Sequence, residues 1–193
     1  NPATITTLSA TAVSSTDATT SAASTYSTVT AMTAIDGDVN ENTINLTPTS
    51  IVLKATTATA FASGDKITFQ AGGGQAAIFA NIGSGGPTCT GTNDGTSIST
   101  TISATLPSTS SIEITLNEVV AAGKAIVLTC TGAGKFAVNS GTAATATTFT
   151  ATSTKDTQVV LFGAGYTTSA AKQGTLSLSA TQVTTVGTDG SKP

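Results

Sequence analysis

The chain has 193 residues, a formal net charge of −3 at pH 7, 9% charged residues and 4% aromatic residues. It contains neither histidine nor tryptophan, and lysine is its only basic residue type. Histidine is the usual proton shuttle and arginine the usual clamp for phosphate, so this composition argues against an enzyme and against a nucleic-acid partner. The lysines are scattered, and no run of about 18 apolar residues is present, which predicts no membrane insertion.

Residues 1–33 are dominated by Ser, Thr and Ala, with Asp17 as the one charged residue and no glycine. This segment has too few apolar residues for a core of its own, while its β-branched residues favour extended backbone. We therefore predict an extended N-terminal arm over residues 1–33, followed by a β-sandwich domain over residues 34–193. The start at Asn1 rather than at methionine predicts a chain that has been processed and exported.

The acidic stretch that follows the arm is the one concentration of oxygen ligands in the chain. Asp36, Asp38 and Asn40 alternate as ligands do in the first half of a calcium-binding EF-hand loop. Glu41, however, stands where that loop needs glycine, and Thr47 stands where it needs glutamate. We predict a solvated hinge between arm and domain, with a partial structural Ca²⁺ site as the alternative and no other cofactor.

Asn45, Leu46 and Thr47 form a sequon for N-linked glycosylation, which predicts a glycan on Asn45. The alternative is an unmodified asparagine at a strand edge. The many Ser and Thr residues of the arm and loops could also carry O-linked sugars. Attached sugars would explain how a chain with so few charges stays in solution.

From residue 34 onward, short runs of alternating apolar and polar residues are separated by clusters of glycine and proline. No segment shows a sustained helical period. The pattern predicts an all-β fold, either a β-sandwich or a jelly-roll-like domain. The candidate strands are Thr43–Thr47, Ser50–Ala55, Lys66–Gln70, Ala76–Asn81, Ser97–Ser103, Ile112–Leu116, Ala125–Cys130, Lys135–Val138, Thr145–Ala151, Gln158–Phe162, Thr175–Ala180 and Gln182–Val186.

Cys89 and Cys130 are the two cysteines of the chain. An even number of cysteines in an exported, Ser/Thr-rich chain predicts one disulfide bond, with two buried free thiols as the alternative. A disulfide in turn predicts an extracellular location, at the cell surface.

Residues 50–69 and residues 111–128 share one pattern, in which a strand is followed by a small apolar step, a glycine and a second strand. The glycines are Gly64 and Gly123, and each is expected to supply a turn or a bulge. We predict a repeated strand–turn–strand unit within one sandwich; two small tandem domains are the alternative.

The repeated unit resembles the β-sandwich modules of large secreted or surface proteins. The plan of the whole chain, an arm ahead of a β domain of low charge, resembles that of pilus and thread subunits that polymerise by donating a strand. This resemblance implies a structural subunit of an extracellular filament, whose partner is another copy of itself. It also implies that apolar residues of the arm insert into the neighbour; the candidates are Ile5, Leu8 and Val13, or Val29 and Met32.

Two other functions fit the same composition. One is a monomeric carbohydrate-binding or adhesive surface module, although sugar sites are usually built on aromatic platforms and the chain has two tyrosines and no tryptophan. The other is a passive stalk domain of a larger surface protein.

Overall fold

The computed structural model describes residues 30–98, 101–159, 163 and 165–171. These residues form nine strands and no helix, so the all-β prediction is confirmed. Among them there is accordingly no helix long and apolar enough to span a membrane. The strands are β1 (Thr33–Val39), β2 (Ser50–Thr56), β3 (Lys66–Gly73), β4 (Thr88–Asn93), β5 (Thr96–Ser97), β6 (Ile102–Ser108), β7 (Ser111–Thr115), β8 (Ala125–Thr131) and β9 (Thr147–Ser153).

All nine strands belong to one sheet with antiparallel pairing. The order is β1-β2-β8-β4-β6-β7-β3-β9, and β5 pairs with β4 alone. The sheet folds over until its first and last strands face each other. Gly37 of β1 lies so close to the ring of Phe149 of β9 that a Cβ added to it would overlap the ring. The result is a nearly closed, sandwich-like shell around a single core.

Alternate residues of each strand point into this shell, as the two-residue period of a strand requires. On β2, for example, Ile51, Leu53 and Ala55 are buried. Aromatic residues are scarce, yet several rings are concentrated in the core. The buried phenylalanines are Phe61, Phe69, Phe79, Phe136 and Phe149. Burying one such side chain stabilises a fold by about 1.5–3 kcal/mol. These rings therefore make a large contribution to the stability of the core although they are few.

The repeated unit appears in the structure as β2–β3 and β7–β8, and the two copies pair with each other. β2 pairs with β8, and β3 pairs with β7. Between the strands, the equivalent residues Phe61 and Val120 exchange two backbone hydrogen bonds of 2.8 and 3.0 Å. Gly64 and Gly123 follow at the turns, both with positive φ. This near two-fold arrangement confirms the repeat and places both copies in one sheet.

The hinge predicted at the acidic stretch is wrong, because Asp36 and Asp38 lie within strand β1 and Asn40 follows its end. Ile35, Gly37 and Val39 face the core, while Asp36 and Asp38 lie on the outer face. The charges occupy the outward positions of an amphipathic strand, where solvent and neighbouring side chains accommodate them. The sheet therefore begins at Thr33, inside the stretch that was predicted to be an arm.

Other differences concern strands with few large side chains. The candidates that contribute isolated bridges only are Thr43–Thr47, Ala76–Asn81 and Lys135–Val138. The candidate Ser97–Ser103 is divided between β5 and β6. Most of β4 and most of β6 lay outside the predicted strands. In β4, Cys89 is the one buried apolar side chain. In β6, Pro107 interrupts the strand pattern. The candidates that lie wholly or mostly outside the described residues are Thr175–Ala180, Gln182–Val186 and Gln158–Phe162.

Candidate assembly site at the root of the arm

The described residues begin near the end of the stretch that was predicted to be an arm. Met32 is fully buried in the core, immediately before β1 begins at Thr33. Thr30, the first described residue, is half-buried. The described body therefore includes residues 30–33, which the sequence pattern assigned to the arm.

Only one of the residues predicted to insert into a neighbour is among the described residues. Met32 lies in the core of its own chain, so it anchors the arm to the body. The other candidates, Ile5, Leu8, Val13 and Val29, lie outside the described residues.

Asp156 holds Thr30 in place. The hydroxyl of Thr30 donates a 2.8 Å hydrogen bond to one carboxylate oxygen of Asp156. The backbone amides of Ala58 and Thr59 donate to the other oxygen, at 2.9 and 3.2 Å. The amide of Gln158 donates to the carbonyl of Thr30 at 3.2 Å, and the Asp156 residue is fully buried. One carboxylate thus joins the arm root to two loops of the body.

The surroundings of Asp156 favour its charged form. Burial by itself would raise the pKa of this carboxyl group. The hydroxyl and amide donors around it, which belong to Thr30, Ala58 and Thr59, outweigh burial and lower the pKa of the group below its ordinary value. At neutral pH the negative charge is therefore part of the structure of the arm root.

The gap between β1 and β9, which we call the seam, is filled by a separate stretch of chain. This seam segment consists of Gly163 and residues 165–169. It runs antiparallel to β9, since Gly163 donates its amide to the carbonyl of Phe149 at 2.8 Å. Further along, Thr147 donates its amide to the carbonyl of Tyr166 at 2.8 Å. The segment therefore extends the sheet beyond β9.

The far end of the seam segment contacts the chain that continues from β1. Ser169 forms a parallel bridge with Thr43. The amide of Ser169 donates to the carbonyl of Asn42 at 2.9 Å, and its carbonyl accepts from the amide of Ile44 at 3.0 Å. Tyr166 of the segment is buried, and its ring centroid lies 6.5 Å from that of Phe149. The seam segment thus bridges the two ends of the sheet.

The near two-fold arrangement gives the seam an equivalent on the opposite side of the shell, between β4 and β6. There the two strands pair directly, Thr88 with Ser103 and Cys89 with Ile102. At the seam, Gly163 lies between the corresponding strands instead. The seam is therefore the place where this sheet accepts an additional strand.

The seam leaves no room for a side chain at two positions of the segment. A Cβ at Gly163 would lie 2.5 Å from the carbonyl oxygen of Ile35 and 2.6 Å from that of Phe149. A Cβ at Gly165 would overlap the carbonyl oxygen of Thr147. Glycine has no Cβ and so permits this close approach of backbones. Because residues 1–33 contain no glycine, the arm does not fit the seam in this register.

The candidate calcium ligands have separate partners along β1. Asp36 forms an ion pair with Lys54 at 3.1 Å. Asp38 accepts the backbone amide of the next residue at 2.9 Å, and Asn40 accepts two backbone amides at the start of β2. Among the described residues, no three acidic or cysteine side chains are grouped to hold a metal ion. The extended strand spreads these oxygen atoms along the chain, whereas a calcium loop would fold around the ion.

The predicted disulfide is confirmed. Cys89 on β4 and Cys130 on β8 lie directly opposite each other and are bonded, and both are fully buried. The two cysteines are 41 residues apart in sequence, so the bond joins two strands that are distant along the chain. A disulfide is compatible with an oxidising extracellular environment.

Asn45 lies in an exposed turn between β1 and β2, with a backbone φ of +60°. The turn is closed by a 3.2 Å hydrogen bond from the amide of Leu46 to the carbonyl of Thr43. Asparagine tolerates this left-handed conformation better than most residues do. The side chain of the sequon is therefore accessible from solvent.

A second surface feature is an open depression of about 480 Å³ beside the β4–β5 hairpin. Asp94 and Lys124 at its wall form an ion pair at 2.6 Å, and Asn93 donates to Glu118 at 3.3 Å. Every aromatic ring among the described residues is buried. None of those rings offers the flat platform on which sugar sites are usually built.

Sequence reasoning missed Asp156 and the purpose of the seam glycines. Asp156 lies in a polar stretch that is typical of a solvated turn, and its partner Thr30 is 126 residues away. Gly163 and Gly165 form one of the glycine clusters that the sequence pattern places between strands, where a turn is expected. The backbone conformation distinguishes the seam glycines from the turn glycines. Gly64, in a turn, has a positive φ, whereas Gly163 and Gly165 do not.

Comparison with known proteins adds no family to this geometry. No protein-family model, curated protein or solved structure matches the chain. Its function must therefore be inferred from the arm root, the seam and the surface.

Proposed function

We propose that this chain is a non-catalytic structural subunit of an extracellular filament, which assembles when the N-terminal arm of one copy packs on the next. The observation that carries the proposal is the anchoring of the arm. Met32 is buried in the core, and Thr30 is bonded to the buried carboxylate of Asp156. An arm with a fixed point of departure presents itself to a neighbour at a fixed place, as repeated assembly requires.

The length of the arm is sufficient for such a contact. Fully extended, residues 1–29 would reach at most about 100 Å, whereas a compact body of this size is roughly 40 Å across. An arm therefore has enough chain to lie along a neighbouring body. A head-to-tail contact of this kind does not close on itself, so it builds a fibre.

The outer face of the sheet supports close packing between subunits. A row of hydroxyl-bearing residues crosses five adjacent strands, and each residue lies directly opposite the next. The row is Ser50, Thr131, Thr88, Ser103 and Thr115. Hydroxyl groups cost much less to remove from water than ions do. A neighbour or an arm that covers this row alone therefore buries none of the charged side chains, such as Lys54 and Lys66, that lie elsewhere on the outer face.

We also propose that Asn45 carries an N-linked glycan when the chain is made in a glycosylating secretory pathway. Its exposure in a turn supports this modification. Peptide mass spectrometry of the secreted chain should find a glycan on the peptide that contains Asn45, and none in the Asn45→Gln variant. An unmodified peptide from such a source would refute the glycan and leave the filament proposal unaffected.

Negative-stain electron microscopy tests the filament proposal. The full-length chain is compared with a variant that begins at Thr30, which keeps the buried Met32 and the bond to Asp156. Filaments from the full-length chain and single particles from the shortened chain are expected. Single particles from both would overturn the proposal.

Charge variants within the arm locate the contact more closely. Ile5→Asp combined with Leu8→Asp should abolish filaments, because a buried charge without a partner is costly. The matched control is Thr6→Asp with Ser9→Asp, which adds the same charge at the same spacing. Equal loss of filaments in both variants would show that net charge, not apolar insertion, controls assembly.

The alternative is a monomeric carbohydrate-binding or adhesive module. The depression beside the β4–β5 hairpin favours it, since Asn93, Asp94 and Glu118 supply polar groups of the kind that sugar hydroxyls bind. Polysaccharide binding by single particles, lost in the Glu118→Ala variant, would support this alternative. A passive stalk domain would instead show neither filaments nor sugar binding.

A further inference from the structure

We propose that the C-terminal stretch of this chain packs Leu176 and Leu178 on an exposed apolar patch at one end of its own shell. The stretch, residues 172–193, lies outside the described residues. The contact goes beyond the proposed function and needs neither a filament nor the arm. The reasons lie in what the patch exposes, where the described chain ends and which residues come next.

The patch consists of apolar side chains from neighbouring pieces of chain. Leu46 is 47% exposed and Val138 is 56% exposed. They are close in space, because the amide of Asn139 donates to the carbonyl of Leu46 at 2.9 Å. Ala77, opposite Val138 on an antiparallel stretch, is also exposed. We call Leu46, Ala77 and Val138 the end patch; covering it would remove apolar surface from water, which is favourable.

The described part of the chain ends near this patch. Ser169 bridges Thr43, and a 3.2 Å hydrogen bond across one turn joins Thr43 to Leu46. Ala171, the last described residue, is two positions beyond Ser169. The five-residue step from Ala171 to Leu176 spans at most about 18 Å. The stretch that follows Ala171 therefore starts within reach of the end patch.

The residues that come next have the composition that an apolar patch selects. Leu176 and Leu178 are separated and flanked by serine and threonine. Alternate residues of an extended chain share one face, so both leucines can contact the same surface. No charged residue lies between Lys172 and Asp189. The contact would therefore bury two large apolar side chains and no charge.

The opposite end of the shell supplies a matched control position. Val119 is 68% exposed and precedes β8, whereas Leu46 precedes β2. β2 and β8 are antiparallel along their full length of seven residues, so these two exposed residues lie at opposite ends of a strand pair that is about 20 Å long. A segment that starts beside Leu46 and packs there should leave Val119 uncovered.

Maleimide labelling of single cysteines in the full-length chain tests the contact. The two native cysteines form a buried disulfide, so an added thiol is the group that reacts. Val138→Cys should be labelled several-fold more slowly than Val119→Cys. Adding Leu176→Asp with Leu178→Asp should raise the labelling rate of Val138→Cys several-fold and leave that of Val119→Cys unchanged.

The matched control for the leucine variant adds the same charge at the same spacing. It is Ser177→Asp with Ser179→Asp, in which Val138→Cys should stay protected. Equal labelling of Val138→Cys and Val119→Cys in the otherwise unaltered chain would overturn the proposal. Protection that persists after the leucines are replaced, or equal acceleration by both pairs of aspartates, would overturn it as well.

Disulfide trapping shows whose stretch covers the patch. Val138→Cys is combined with Leu176→Cys or, in a second variant, with Leu178→Cys, and each full-length chain is oxidised at low concentration. At least one should form an intrachain disulfide, identified by mass spectrometry of the linked peptides, and Val119→Cys with Leu176→Cys should not. Disulfide-linked dimers instead would assign the cover to a second copy and overturn the proposal, and so would no cross-link in either variant.

Discussion

The hydroxyl of Thr30 donates a 2.8 Å hydrogen bond to the carboxylate of Asp156, a residue 126 positions further along the chain. Thr30 precedes the first strand, and Asp156 follows the last one. The bond therefore ties the entrance of the body to the segment that leads from β9 toward the seam. The arm root and the seam are consequently connected parts of one region.

Replacing Asp156 with asparagine should destabilise the body. The Asp156→Asn variant loses the charged acceptor and presents an amide group to donors, so the free energy of unfolding should fall by about 1–3 kcal/mol. Urea unfolding followed by circular dichroism measures the change. The matched control is Asp38→Asn on the outer face of β1, and equal stability of the two variants would contradict a structural role for Asp156.

Stability should fall in acid partly through Asp156. Its pKa is lowered in the folded chain, so its contribution is present above the unfolded value of about 3.9 and is lost as pH falls through the folded pKa. Unfolding free energies measured from pH 6 downward should therefore show a smaller acid loss in Asp156→Asn than in the unaltered chain. Parallel pH curves for the two proteins would disprove this assignment.

Stability should also fall in alkali through Tyr166. Burial raises the pKa of this phenol. A hydrogen bond with Thr147 lowers the pKa, and the nearby charge of Asp38 raises it further; the net effect is a raised pKa. The contribution is fully present below the unfolded value of about 10 and is lost as pH rises through the folded pKa. Tyr166→Phe should resist alkaline unfolding better than Tyr26→Phe, which alters the other tyrosine of the chain. The prediction fails if both variants unfold at the same pH.

The disulfide should make a large contribution to stability. In the chain-entropy model, a loop with a sequence separation of 41 residues contributes about 4 kcal/mol. The Cys89→Ala, Cys130→Ala double variant should lose an amount of this order in urea unfolding. The control is Thr90→Ala with Thr129→Ala, a directly opposite pair on the same two strands, for which a loss below about 1 kcal/mol is expected. Similar losses in both variants would contradict the prediction.

A methyl group at Gly165 should disturb the seam. Its Cβ would overlap the carbonyl of Thr147, and overpacking of this kind costs about 1–3 kcal/mol. Gly72→Ala is the control, because its Cβ would lie 3.5 Å from a threonine hydroxyl, an ordinary contact. Thermal unfolding should show a lower midpoint for Gly165→Ala alone; equal midpoints would mean that the seam tolerates side chains.

Some elements were predictable because they depend on local pattern. Ile112–Leu116 alternates cleanly between apolar and polar residues, and the structure makes most of it β7. Asp36 and Asp38 misled the prediction because local reasoning associates charges with loops, whereas the structure places them outward on β1. β4 was not predicted because Cys89 is the one buried side chain of that strand, so the strand shows no alternation of apolar and polar residues. Cys89 is bonded to Cys130, which lies 41 residues away and gives no local signal.

The sequence by itself determined the all-β class, the internal repeat and the disulfide. Each of these follows from the order of residues alone: the alternation of apolar and polar residues, two matching segments and an even number of cysteines. The tertiary structure decided that Asp36 and Asp38 lie on a strand, that Asp156 holds Thr30 in place, and that the seam requires glycine. Each of these depends on groups brought together from opposite ends of the chain. Which backbone atoms lie within 3 Å of Gly163, or which hydroxyl reaches Asp156, follows from how the sheet curls over its core, and no local pattern of residues carries that information.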